Sequence, residues 1–506
     1  MTIRKLLLTA ACLLIAALLA GGASAQTLRI GLGDDPDLLD PALSRLFSGA
    51  NVIVPMCDRL IDISPELDLV PQLPTEWQWT DANKGLVIKL RQGVKFQDGE
   101  KLDAAAVKFN IERYQTLPGS NRKAEISAIS EVQIVDDHTV KLVLSAPFAP
   151  LLSQLANWAG MMVSPKAARE AGENFAAHPV CAGPFKFGQR VAQDRRIVLE
   201  RFADYWNKDA IHFDRIIFLP MPDSTVRLAN VRSGGLDLTF MAATDLVEAR
   251  MDRRLKLAGS PGLGYQGIYI NLNNGPRAKN PLGQDARVRE ALELSIDRVA
   301  LNDVVFDGVH EPGNQWVAPG NPYYVKSLPI PGRDLARAKQ LLAEANVTNP
   351  SINLLALASP VPLQAAQVIQ AMAREAGFAI KIQATEMAAY IDLQVKGEFE
   401  AMLWGWSGKI DPHGNIYNLL SCTAPRAYNF VGYCNPDVNR ELDAARLVEA
   451  PAERLQHYAK VAEHVLADRP IIYLWHGKFL YAMNPKLTGF TPYPDGVIRF
   501  QGMRMQ

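Results

Sequence analysis

Apolar residues crowd positions 86–90, Leu-Val-Ile-Lys-Leu, in a short run rich in β-branched side chains that predicts a strand. Turn chemistry follows at Gln97-Asp98-Gly99-Glu100, because Asp-Gly tolerates the positive φ of a tight turn. Asp103 then stands where a helix N-cap belongs. Ala104, Val107, Ile111 and Tyr114 recur at i, i+3, i+7 and i+10, one face of a helix. Similar reading predicts a first strand over 27–32, a hairpin over 76–90 turning at 81–85, and a second hairpin over 132–144 around Asp136-Asp137. A strand begins at Gly183-Pro184-Phe185 and the pattern continues over 196–201; a further strand covers 211–219 and a helix 224–233.

The second half of the chain alternates differently. A helix is predicted over 287–296, and Asp334 caps another that runs to Asn346. Strand 352–357, helix 363–375 ending at Gly377, strand 379–384, helix 388–396 and strand 401–406 then succeed one another. This β-α-β-α-β run predicts a sheet wound with helices. Ligands of such sheets bind beyond the carboxyl ends of the strands, which places Trp406-Ser407-Gly408-Lys409 at the mouth of a site. Trp404 and Trp406 share one strand face, with Leu403 and Gly405 on the other, and Trp406 lies nearer the carboxyl end. Helix 453–467 and strand 471–475 close the pattern.

A chain of 506 residues is too long for one hydrophobic core, so two or more lobes are expected. The first residues read as a secretory signal: Arg4-Lys5, an apolar stretch over 6–20, and a small-residue cleavage site Ala23-Ser24-Ala25 that leaves Gln26 as the mature start. The alternative is an uncleaved anchor. Cys12 is preceded by Thr9-Ala10-Ala11, a poor lipoprotein box, so no lipid anchor is expected. Lys+Arg and Asp+Glu both number 53, and losing Arg4 and Lys5 with the leader leaves 51 basic residues against 53 acidic ones. That balance argues against a nucleic-acid partner and gives no support to a polybasic membrane surface.

Four cysteines remain, Cys57, Cys181, Cys422 and Cys434; an even number in an exported chain suggests disulfides, and four allow three pairings. Cys422 and Cys434 flank one polar loop and are the natural pair; whether Cys57 then bonds Cys181 stays open. With no Cys-x-x-Cys and no histidines at ligand spacing, no metal is expected. Gly262-Leu263-Gly264-Tyr265-Gln266-Gly267 fits the dinucleotide fingerprint, but the residues that follow it, 268–272, read as a strand where the fingerprint needs a helix. The segment therefore reads as a crossing strand, and no cofactor is expected. An exported hydrolase is the competing class. The chain lacks HExxH, and Lys409 occupies the last glycine position of a Gly-x-Ser-x-Gly elbow at Ser407. Ser407 therefore reads as a hydrogen-bond donor to ligand or backbone, and no catalytic residue is assigned.

The wording of residues 86–114 resembles the signature region of the family 5 extracellular solute-binding proteins, receptors of ABC importers for peptides, nickel, glutathione and related solutes. Further shared steps are Pro71-Gln72-Leu73 before Trp77, Gly93-Val94-Lys95-Phe96, Val107-Lys108-Phe109-Asn110, Gly183-Pro184-Phe185, and Leu199-Glu200-Arg201 with Tyr205-Trp206. Arg287-Val288-Arg289-Glu290-Ala291 with Ile296-Asp297-Arg298, and Ala338-Lys339 with Leu341-Leu342, extend the resemblance through the second half. Each step is weak alone; their order and spacing together are specific.

The resemblance implies an α/β, two-lobe periplasmic binding protein of the cluster C type, with a signal peptide over 1–25. Lobe I would cover 26–264 with a subdomain at about 73–180, lobe II 265–478, and the return to lobe I 479–506. It implies a periplasmic, monomeric transport receptor that catalyses nothing, captures a peptide-like or acidic or zwitterionic solute between the lobes, and delivers it to an inner-membrane permease with its ATPases. A sensor or chaperone-like binder would share this sequence. The resemblance supports Cys422–Cys434, a pair that peptide-binding members share, and is compatible with Cys57–Cys181. It places the site in residues 403–414. Dipeptide-binding relatives carry an aspartate there that pairs with the ligand ammonium; the aligned residue here is Lys409, with Asp411 two residues on and starting a turn before Pro412. A lysine favours a ligand carboxylate. Phe47 would line the cleft from lobe I or serve the core. Arg426, in the cysteine loop, is either solvated or a carboxylate contact. His476 is a contact near a hinge, and His413 reads as a turn residue rather than a nickel ligand.

Overall fold

Asp103 accepts a hydrogen bond from the Ala106 backbone N–H at 2.9 Å and so starts helix Ala104–Thr116. Val107, Ile111 and Tyr114 on its inner face are fully buried. They pack with Leu86 and Ile88 of strand Gly85–Leu90 into a core of their own. The computed structural model describes residues 26–506; the expected leader at 1–25, Cys12 included, lies outside the described residues.

Three larger sheets organise the chain. One has four antiparallel strands in the order Pro74–Thr80, Gly85–Leu90, Thr139–Leu144, Ile129–Asp136. Its first hairpin turns through Asp81, Ala82 and Asn83, all at positive φ. The second sheet has seven strands, with Thr27–Leu32 near its centre between Leu238–Phe240 and Arg215–Pro220, both parallel to it. The third has six, in the order Glu311–Pro312, Ile471–His476, Tyr265–Ile270, Ala401–Trp406, Ser351–Leu357, Ala379–Thr385. Alternate residues of the six-stranded sheet feed two separate cores, Leu354, Leu403 and Leu474 on one side, Leu355, Met402 and Tyr473 on the other.

The chain passes between the seven- and six-stranded sheets twice. Strand Lys256–Pro261 belongs to the first and Tyr265–Ile270 to the second, so residues 262–264 cross. Ile471–His476 and Lys478–Met483 repeat the crossing at Gly477. The crossings touch, Gly262 N–H donating to the Gly477 carbonyl at 2.9 Å. A Cβ at Gly264 would overlap the Trp406 carbonyl, so close backbone approach, not a phosphate, explains the glycines of the GxGxxG match.

Two local expectations differ from the structure. The strand expected over 211–219 starts only at Arg215, because Lys208–Ala210 forms a 3₁₀ turn that brings Ile211 and Phe213 into the core on irregular backbone. His413, expected in a turn, is the buried first residue of helix His413–Leu420, which Pro412 precedes. Both cysteine pairs stand at disulfide distance, Cys57 with Cys181 (Cα atoms 4.8 Å apart) and Cys422 with Cys434 (4.5 Å).

Candidate functional site

Strand Ala401–Trp406 ends where the two halves meet. Trp404 stacks on Tyr390 with ring centroids 5.2 Å apart, and the Trp406 indole N–H donates to Asn415 Oδ1 at 3.2 Å. The backbone then turns at Gly408, whose φ of +90° and proximity to the Leu263 backbone leave no room for a side chain. Asn415 holds the turn from both sides: its Oδ1 accepts from the Lys409 backbone N–H at 2.6 Å and its Nδ2 donates to the Lys409 carbonyl at 3.1 Å. So anchored, Lys409 reaches away from its own sheet and its Nζ donates to Asn157 Oδ1 at 2.7 Å. Burial lowers its pKa to about 8, against the attraction of Glu125, which raises it.

The facing wall comes from the other half. Arg122 is buried and its Nη1 donates to Glu125 Oε1 at 2.7 Å, an i,i+3 pair. Its Nη2 donates to the Ser44 carbonyl at 3.2 Å, and its guanidinium lies 5.5 Å from the Trp158 ring centroid. Phe47 stacks on Phe479 at 5.3 Å and meets Phe240 edge-on, so one side of its ring serves the core and the other the cavity. Between the walls is a cavity of about 560 Å³, within the range of small-molecule sites.

Bonds in and around this cavity join the two halves. Beside Lys409–Asn157, Arg45 Nη2 donates to the Ala427 carbonyl at 2.7 Å, the Tyr428 hydroxyl to the Asn121 carbonyl at 3.3 Å, and the Ala149 N–H to the Arg446 carbonyl at 2.9 Å. The structure is therefore a closed form.

Phe47, Trp404, Trp406, Ser407 and Lys409 lie on the cavity wall; Asp411, Arg426 and His476 do not. Asp411 is buried and accepts two 2.7 Å bonds from Arg454, with the His413 N–H donating to it at 2.9 Å. Its lone pairs are spent on holding the chain. Arg426 is exposed, with its guanidinium against Gly432. His476 is buried at the crossing, its Nδ1 bonded to the Gly264 carbonyl at 2.9 Å, and burial lowers its pKa to about 4. It holds the two crossings together and is turned from the cavity. Arg45, Arg122, Glu125, Asn157 and Tyr428 line the cavity without having been singled out in the sequence. The one signal was the Arg122/Glu125 spacing, which any solvated helical turn shares. Among the described residues no group of three or more His, Cys, Asp or Glu side chains is placed to hold a metal ion. Nor, among them, is any helix long and apolar enough to cross a membrane.

The family description "Bacterial extracellular solute-binding proteins, family 5 Middle" matches residues 68–426. A glutathione-binding protein of Pectobacterium atrosepticum is 28% identical over 516 aligned residues, covering 99% of this chain and 98% of its own. Its counterpart in Salmonella typhimurium is 28% identical over 93% of each chain. Among solved structures, a dipeptide-binding protein of Pseudoalteromonas in complex with Met-Leu superposes with a TM-score of 0.87 at 22% identity, over 95% of this chain and 100% of that one. The murein tripeptide binding protein of Escherichia coli gives 0.86 at 23% identity, over 96% and 99%. These likenesses show the two-lobe binding-protein fold. The match to the family over most of the chain, with that fold and a cavity closed between two sheets, makes this protein a member of the family 5 bacterial extracellular solute-binding proteins.

Proposed function

We propose that the cavity captures a peptide-like solute bearing a carboxylate, acidic or zwitterionic, and that the closed form presents it to a membrane permease. Members of this family serve ABC importers and are not enzymes, and membership implies an exported location. The observation that carries the solute class is Lys409: a cation on the cavity wall whose Nζ, among the described residues, is bonded only to the neutral Asn157 amide. An ammonium has three donors, so two remain for a ligand. The named activity of the curated relatives, glutathione binding, is of this chemical class. In this reading lobe I comprises 26–264 and 479–506, lobe II 265–478, and the crossings at 262–264 and Gly477 are the hinge. The leader is cleaved after Ala25.

Thermal unfolding of the protein from Gln26 onward, against dipeptides, glutathione, opines and acidic sugars, tests it. A ligand at about a hundred times its Kd adds roughly 2.7 kcal/mol and raises Tm. Carboxylate-bearing compounds are expected to do so, and Lys409→Met is expected to weaken them about 10- to 100-fold, the worth of a charge-assisted hydrogen bond. The pH dependence has a definite sign. A bound carboxylate raises the Lys409 pKa from about 8, so binding takes up a proton near pH 8 and affinity falls as pH rises through that value. Glu125, Arg122, Asp495 and Arg59 are the charged groups that act on it. Unchanged affinity of Lys409→Met for every ligand found would defeat this reading.

A further inference from the structure

The cavity wall also carries an anion, in the half opposite that of Lys409. Glu125 is 8% exposed and lines the cavity. Its Oε1 accepts from Arg122 at 2.7 Å, while its Oε2, fully buried, has no hydrogen-bond partner among the described residues. A buried carboxylate oxygen without a donor has lost its hydration and gained nothing in return, which native structures avoid unless a ligand or an ordered water supplies the donor. Lys409, reaching in from the other half, does not satisfy it: among the described residues Lys409 forms no ion pair, and its bond goes to Asn157 instead. The cavity therefore offers a cation and an anion from opposite halves, each with bonding capacity unspent.

We propose that Glu125 Oε2 receives the ammonium group of the solute while Lys409 receives a carboxylate, so that the protein selects amino-acid-derived ligands with a free amine. This rests on the carboxylate reading above and adds to it the other end of the ligand. Asp411, the acid nearest Lys409 in sequence, cannot take the amine, because Arg454 holds both its oxygens. A zwitterion joining Glu125 to Lys409 bridges the two halves, so its binding energy is available only when the cleft is closed. Arg122 remains bonded to Oε1 throughout, holding the carboxylate in place for its ligand.

Isothermal titration with matched pairs tests the assignment: glutathione and the dipeptide Met-Leu, each with its N-acetylated form, and a simple dicarboxylate such as glutarate. The native protein is expected to bind the free-amine forms at least about 10-fold more tightly than the acetylated ones, the worth of a charge-assisted bond. Glu125→Gln is expected to bring that preference within about threefold while leaving the acetylated forms as they were, since the variant retains an oxygen for Arg122. Equal binding of both members of each pair by the native protein overturns the proposal without any variant. So does an equal loss for both members in Glu125→Gln, which would make Glu125 a support for Arg122 only. Binding of carboxylates with no amine preference would leave the Lys409 reading standing, whereas silence from every carboxylate would remove that reading and this one together.

Discussion

Replacing Cys57 and Cys181 by alanine is expected to lower the stability of the oxidised protein by about 5 kcal/mol, more than any other change proposed here. The two cysteines are 124 residues apart in sequence, and a link of that span removes more freedom from the unfolded chain than a short one does. Both are buried, so the space left by the two sulfur atoms adds to the loss. The bond ties the end of helix Phe47–Ile53 to the segment that leads into strand Phe185–Arg190. Around it, Gln97 donates to the Met56, Gly183 and Phe185 carbonyls, and its Oε1 accepts from the Cys181 N–H at 2.8 Å. Urea unfolding of the double variant measures the loss. The same experiment on Cys422 and Cys434, 12 residues apart and solvent-exposed, is expected to give about 3 kcal/mol. If the short loop costs as much as the long one, the chain-entropy account fails.

Asp411→Ala is expected to cost about 3–5 kcal/mol, because it leaves the Arg454 guanidinium buried without its counter-ion. Arg454 is 4% exposed, and after the loss its remaining partners are the Ala445 carbonyl and the Tyr458 and Tyr323 hydroxyls. None carries charge, so the desolvation of the cation goes uncompensated. Replacing both partners, in Asp411→Ala with Arg454→Met, is expected to recover much of the loss, since an apolar pair needs no desolvation to be offset. Chemical denaturation of the single and double variants distinguishes this from ligand binding by Asp411. A variant as stable as the native protein but unable to bind glutathione or dipeptides would return Asp411 to the site. The pair also matters for function at one remove: Asp411 follows Lys409 by two residues and accepts from the His413 N–H, so it pins the segment from which Lys409 reaches across.

Much of the architecture was legible along the chain because its signals are local. Asp103 and Asp334 announce their helices by a side chain accepting from a backbone N–H three residues on, a contact whose geometry depends on nothing distant. The alternation of strands and helices from Ser351 to Trp406 carries its own period, and it led to the carboxyl end of strand Ala401–Trp406 as the edge of a site. Trp404, Trp406, Ser407 and Lys409 lie on one cavity wall, and the same strand end supplies them all.

The opposite wall had no such signal. Arg45, Arg122, Glu125 and Asn157 stand hundreds of residues from Lys409, in segments whose local pattern says only turn or helix, and nothing short of the packed fold brings them to the same cavity. The acids show the limit most clearly. Asp411 is adjacent to the cavity-lining segment in sequence and is consumed by Arg454, 43 residues later, whereas Glu125 is remote and has one oxygen without a partner among the described residues. By itself the sequence determined many of the strands and helices and that a lysine stands at the strand end, because backbone dihedrals and apolar periodicity are properties of neighbouring residues. The tertiary structure alone decided which charges pair with each other and which do not, because that is settled by who lies within three ångströms in space, and distance along the chain does not measure it.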